Sequence, residues 1–351
     1  MLQSNRVRAR ALLLSAQLVS CVAFVAPWQR SRGFPLDDAW IHHVVARTFA
    51  TTGTLGYSPG AHGAGATSYL WAALLGVGHA IGADPVVFTA VLAVGAALAA
   101  GQLLLSLLAP EGDVPPRALF SVALAVAGGD FTWFAFSGME ATLVVALALG
   151  AIVFATREGR RAPWVAGALA GLCALARPDF VPLGGLLAAL AFLRTRRLGA
   201  ALPLAVPWAL ACALYFGSNA LLTGHAMPAT LRGRRWLWID STEVHPTFLG
   251  LAADFLFAWP YRLRQFTLGL DVNAPFWVAA GLALFGAREV VRERRTGMLL
   301  ALGFALFHLL VFLAILPVPG HGGRYQPLVP VLFVLLAAHG TAALAGRAAE
   351  A

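Results

Sequence analysis

Apolar residues along this chain fall in long unbroken runs. They cover residues 11–28, 85–109, 118–136, 139–155, 163–176, 179–193, 200–222, 276–290, 298–316 and 328–346. Each approaches the ~20 residues that an α-helix needs to cross a bilayer, the shorter ones leaning on their flanks. Strand-type alternation is absent and the runs are rich in Leu, Ala and Gly, which argues against a barrel. The pattern predicts an all-α, polytopic integral membrane protein with about ten transmembrane helices (roughly 9–12) in a single domain over residues 1–351. The first run, which follows Arg6, Arg8 and Arg10, is read as an uncleaved signal-anchor, since no clean small-residue cleavage site precedes Pro27.

Two further apolar stretches, 67–82 and 246–260, are short, and charge decides how they lie. Arginine clusters stand at 1–10, 157–161, 194–197 and 288–295. Short arginine-rich loops stay in the cytoplasm, and all four share one side only if 67–82 does not span. The same parity keeps 246–260 out of the count. Both are then predicted to be helices at the outer interface. The termini fall in the cytoplasm, and two long segments, 29–84 and 223–275, lie outside with most of the polar residues.

Composition agrees. The chain has 351 residues, 12% of them charged, where a soluble domain carries about a quarter. The net charge of +9 resides entirely in the cytoplasmic pieces, and the outer pieces balance to zero. The basic excess is therefore a topology signal and gives no nucleic-acid surface. All 25 basic residues are arginine, a usage that points to a GC-rich bacterial genome and a plasma-membrane location. Cys21, Cys173 and Cys212 lie within apolar runs, with no pattern for a disulfide or a metal site.

The first outer loop opens with "FPLDDAWIHHVVARTFATTGTLGYSP". Read as a helix from residue 38, it has Asp37 as N-cap and Asp38 in the first turn, where the helix dipole favours an acid. Trp40, Ile41, Val44, Val45 and Thr48 would form the apolar stripe of an interfacial helix, with His42, His43 and Arg47 turned away. The bland reading is a capped amphipathic helix. The chemical one places an acid at the membrane surface, where it serves as general base on a hydroxyl. Nearby arginines would hold a phosphate leaving group. Arg47, Arg232, Arg234, Arg235 and Arg324 are the candidates. Glu140, at the outer start of a helix, is a second acid to weigh, and Asp130 is an acid within a run. His308 and His339 lie inside runs and read as helix–helix hydrogen-bonding groups. Trp133, Trp236, Trp238 and Trp259 read as interface anchors.

These segments resemble the GT-C superfamily of polyprenyl-phosphate-sugar-dependent glycosyltransferases. The resemblance is to a bacterial arabinofuranosyl- and mannosyltransferase-like branch with a DDA motif in its first loop. The matching residues are Asp37-Asp38-Ala39-Trp40, Ala46-Arg47, Gly53 through Gly60 including Tyr57, and Thr67-Ser68-Tyr69-Leu70-Trp71. Further matches are Gly138-Met139-Glu140, Arg177-Pro178-Asp179, Thr223 through Thr230, and Arg324-Tyr325-Gln326-Pro327. The resemblance implies a GT-C-like transmembrane fold and a hexosyl- or pentosyltransferase of the inverting type. Its donor would be a sugar on a polyprenyl phosphate, and its acceptor a cell-envelope glycan or lipid on the outer face. It implies catalysis by Asp37 as base, with Asp38 and Glu140. Substrate contacts would come from His42, His43, Arg47, Tyr57, Arg177, Thr230, Arg232, Arg324 and Tyr325. No cofactor is certain. Some members of the superfamily are metal-dependent, and His42, His43 and His62 with Asp37 or Asp38 are the residues here that could hold a divalent metal. Adjacent helical histidines point about 100° apart, however, so both cannot easily hold one ion. A transporter or flippase of lipid-linked saccharides is the alternative from another class, and a catalytically dead scaffold a third. Transporters commonly show internal repeats, and none is visible here.

Overall fold

The structure is a computed structural model. It describes residues 2–28, 33–60, 67–111, 113–237, 247–269, 272–315, 317, 320 and 323–350. His62 and Trp238 lie outside the described residues. Among the described residues the regular structure is helical throughout. In chain order the helices are α1 (Leu2–Trp28), α2 (Asp38–Thr52), α3 (Tyr69–Ala80), α4 (Pro85–Leu108), α5 (Pro116–Ala127), α6 (Gly129–Phe136), α7 (Ala141–Ala155) and α8 (Ala162–Ala176). They continue with α9 (Val181–Thr195), α10 (Leu198–Thr223), α11 (Ala229–Arg235), α12 (Phe248–Arg262), α13 (Asn273–Arg292), α14 (Thr296–Ile315) and α15 (Leu328–Glu350).

Six described helices are long and apolar enough to cross a membrane: α1, α4, α10, α13, α14 and α15. The run at 118–136 is a pair, α5 and α6, bent by 47° at Gly128, and counts as a seventh if taken as one broken span. The runs at 139–155, 163–176 and 179–193 are α7, α8 and α9, of 15 residues each. Fifteen residues rise about 22 Å, short of the ~30 Å hydrocarbon core. Length alone therefore supports fewer crossings than the expected ten. α7 is apolar on every side, with ten of its fifteen residues buried and none exposed, as expected of a helix packed within protein. The protein is a multi-pass, all-helical membrane protein.

The chain divides into two compact units. Unit 1 holds residues 1–31, 94–135 and 252–351, and unit 2 holds residues 32–93 and 136–251. In unit 1, α13 and α15 pack backbone to backbone, because Gly286 and Gly340 leave no room for a Cβ on either helix. Small residues permit such an approach between membrane helices. Ion pairs gather where these helices end. Glu289 meets Arg292 at 2.9 Å and Arg347 at 2.7 Å, and Glu293 meets Arg117 at 2.9 Å. Trp259, expected at the interface, is buried with Phe255, Phe312 and Tyr325.

In unit 2, α2 packs on α3, and α8 packs on α7 and α10. α2 starts where Asp37 accepts the Asp38 N–H at 2.9 Å, and ends at Gly53 with φ +71°. α3 starts at Ser68, whose hydroxyl accepts the Trp71 N–H at 3.2 Å. The expected stripe of α2 holds for Val45 and Thr48, with Arg47 outward, but Trp40 and Ile41 change places with the two histidines. Ala39, His42, His43, Val45, Ala46 and Thr48 are buried, while Trp40 and Ile41 are exposed. The histidines go inward because polar groups of unit 2 await them. An outward Trp and Ile suit a lipid boundary.

Candidate functional site

The polar centre of unit 2 is Glu140. Its position depends on the turn before it. Gly138 has φ +79°, and a Cβ there would collide with Ala39 and with the Phe34 ring. Only glycine fits both the angle and the space. The indole N–H of Trp71 donates to the Gly138 carbonyl at 3.1 Å, which fixes the turn from the α3 side. Glu140 occupies the N-cap of α7 but makes no capping bond with its side chain. Its carboxylate reaches Arg177 instead.

Arg177 ends α8. Pro178 follows it and disfavours helical geometry at the preceding residue, so Arg177 is extended, at φ −151° and ψ 114°. Its guanidinium is buried and forked between two acids. Nη1 donates to Glu140 Oε1 at 3.1 Å, while Nε and Nη2 donate to Asp179 at 3.0 and 3.2 Å. His42 Nε2 stands 3.7 Å from Glu140 Oε2. His42, Glu140 and Arg177 are all less than a tenth exposed. Charges this far from water persist when paired and hydrogen-bonded. Glu140 Oε2 has no hydrogen-bond partner, so a hydroxyl placed there would find an acceptor.

His43 turns the other way. Its Nε2 lies 3.0 Å from Thr89 Oγ1 and its Nδ1 lies 3.1 Å from His79 Nε2. Thr89 donates to the Pro85 carbonyl at 2.7 Å. The threonine oxygen therefore accepts from His43 Nε2–H, and His43 Nδ1 accepts from His79. Burial, with added repulsion from His79 and His42, pushes the His43 pKa down to about 4. His79 is lowered too, by burial and by the charge of Arg47. Both ring nitrogens of His43 are thus engaged within the protein. His42 and His43 diverge, and among the described residues no three His, Cys, Asp or Glu side chains gather as a metal site.

A second link joins two distant loops. Thr67 donates to Thr230 at 2.8 Å, and the Tyr215 hydroxyl donates to the Thr67 carbonyl at 2.9 Å. The segments around residues 42, 71, 138–140 and 177–179, and the pair Thr67 and Thr230, are thereby fastened into one network within unit 2. Asp37, Arg47 and Arg232 are exposed, Asp38 is half-buried, and Tyr57 is exposed with its carbonyl near Thr48. Arg324 and Tyr325 belong to unit 1, where both are buried and the guanidinium lies 5.2 Å over the phenol ring. Asp179, His79, Thr89 and Gly138 were not expected as site residues. The proline after Arg177 and the glycine before Glu140 were the signals that could have marked this turn geometry.

No family model matches the chain, and no curated protein matches it in sequence. Solved structures do match in fold. The oligosaccharyltransferase of Archaeoglobus fulgidus, in complex with Zn and sulfate, aligns with a TM-score of 0.59 at 13% identity, over 95% of this chain and 49% of that one. The same archaeal enzyme, AglB, with an inhibitory peptide and a dolichol-phosphate aligns at 0.54 and 12% identity, over 96% and 50%. Its apo form aligns at 0.55 and 13% identity, over 96% and 52%. The chain spans about half the length of these structures, and the likeness is one of fold.

Proposed function

We propose that the protein is a membrane glycosyltransferase that uses a polyprenyl-phosphate sugar as donor, on the outer face of a bacterial plasma membrane. The observation that carries this reading is the buried His42–Glu140–Arg177–Asp179 network. It lies where four segments that resemble GT-C motifs meet within one unit. The shared fold adds support, since one structure of the archaeal enzyme holds dolichol-phosphate and another is tethered to an acceptor peptide.

Asp37 takes the proton from an acceptor hydroxyl of a cell-envelope glycan or lipid. The oxygen attacks the anomeric carbon from the face opposite the phosphate. The carbon–oxygen bond to phosphate breaks and the polyprenyl phosphate leaves with the electron pair, so configuration inverts. Asp38 and Glu140 assist by accepting hydrogen bonds from sugar or acceptor hydroxyls, with His42, Tyr57 and Thr230 as further contacts. Arg47 and Arg232, both exposed on unit 2, are the cations for the leaving phosphate. Arg177 holds Glu140 in place.

The test is transfer of radiolabel from a polyprenyl-phosphate sugar by the purified protein in detergent. Labelled product in wild type and none in Asp37→Asn supports the reading. Label left wholly on the donor across envelope acceptors defeats it. A transport reading draws on the broken span at Gly128. Movement of the intact lipid-linked saccharide across proteoliposomes, without bond cleavage, would favour it.

A further inference from the structure

Unit 1 contains a polar site that the transfer reaction does not use. α5 stops at Gly128, which is extended at φ −69° and ψ 158°, and α6 starts one residue later at an angle of 47°. The last four carbonyls of a helix lack intrahelical partners. Here the Ser20 hydroxyl of α1 serves the Ala127 carbonyl at 2.9 Å and also lies 3.0 Å from Thr132 Oγ1. Asp130 sits in the first turn of α6. Opposite it, residues Leu263–Thr267 form a π-helical turn, a distortion often found at functional positions. Thr267 from that turn donates to Asp130 Oδ2 at 2.6 Å. Between them is a small, half-open pocket of about 10 Å³, lined by Ala125, Gly128, Asp130, Phe131, Thr267 and residues 330, 331 and 334.

Size and chemistry restrict the occupant. About 10–15 Å³ of such space takes one water, so the pocket has room for about one water-sized guest and none for an organic ligand, whose sites begin at roughly 300 Å³. The polar side chains lining it offer oxygens, a carboxylate and a threonine hydroxyl, and the C-terminal end of α5, the negative pole of that helix, lies at its edge. A single carboxylate among neutral oxygens matches one positive charge, whereas divalent sites draw on several acids or on phosphates. Broken membrane helices offer carbonyls and half-helix ends to small ions in this way. We propose that the cavity binds a monovalent alkali cation, held by Asp130, the Thr267 oxygen and the end of α5, and that the ion clamps the bend in the broken span.

The experiment uses the full chain in detergent. Its melting temperature is followed in NaCl, KCl and N-methylglucamine chloride at equal ionic strength and pH, with direct ²²Na⁺ binding measured alongside. One alkali cation should raise Tm saturably, by about 3 °C at ten times its Kd, and N-methylglucamine should not. Asp130→Asn should remove the increment. Thr267→Val should shift half-saturation upward about tenfold, and this variant carries the test if Asp130→Asn does not fold. Equal Tm in all three salts, or an unchanged increment in either variant, overturns the proposal. Glycosyl transfer plays no part in the readout.

Discussion

Arg177 donates to Glu140 at 3.1 Å and to Asp179 at 3.0 Å, so one buried guanidinium bridges two carboxylates that sit on different segments of unit 2. Removing the arginine strands two charges, and removing Glu140 strands none, because Asp179 remains. Breaking a buried pair costs about 3–5 kcal/mol. Arg177→Ala should therefore lower Tm by on the order of 10 °C, more than Glu140→Gln does. The double variant should lose less than the sum of the two. Differential scanning fluorimetry of the four proteins in detergent measures this. Equal losses for the two single variants would contradict the arrangement.

Asp37 has a capping role and a proposed chemical one, and these separate. Asparagine caps a helix about as well as aspartate. Asp37→Asn should leave Tm within about 0.5 kcal/mol of wild type in terms of stability, while transfer falls ~10²- to 10⁴-fold. Serine at the same position should behave alike. Undiminished transfer by the asparagine variant would remove Asp37 from the chemistry.

The His43 pKa near 4 makes stability depend on pH. In the unfolded chain the histidine titrates near 6.5, so between about 6.5 and 4 the unfolded state binds the extra proton. The neutral folded form is then favoured fully above the unfolded value and loses ground as pH falls through that window. His79 shifts in the same direction. The melting temperature should drop as pH is lowered from 7 to 4.5, and His43→Gln should flatten that slope. A slope unchanged in the variant would place the titration elsewhere.

Gly138 should not accept a side chain. Gly138→Ala meets a positive φ and the ring of Phe34 at 2.7 Å, so the loss should exceed the ~1 kcal/mol of an ordinary left-handed site. Trp71→Phe removes the bond to the same carbonyl and part of a fully buried ring, so it should cost more than the ~1 kcal/mol of the hydrogen bond alone. Chemical shift or tryptophan-fluorescence changes at Trp71 in the alanine variant would report the displaced turn.

The helices were largely legible because apolar runs of this length have one solution in a bilayer. The cap at Asp37 was visible as well, since an acid ahead of a helical pattern favours that position, whereas the cap at Ser68 was not anticipated. The face of α2 was legible only in part. Its histidines face a carboxylate and a threonine more than 35 residues away, and periodicity cannot register partners at that distance. The lengths of α7, α8 and α9 were obscured for a related reason: a helix buried in protein and one buried in lipid have the same apolar composition. The break at Gly128 was missed, since residues 118–136 read as one apolar run, and the groups that serve it, Ser20 and Thr267, lie more than 100 positions away.

The hydrogen bond between Thr67 and Thr230 spans 163 positions, and it sets a timetable for synthesis. When residue 67 leaves the ribosome, its partner is still uncoded chain. At about 5–20 residues per second, it waits on the order of ten seconds or more. During that interval the loop carrying Thr67 has helix caps on either side of it but not its tether. Nascent chains halted near position 150 should therefore expose this loop to protease, and chains halted past 250 should protect it.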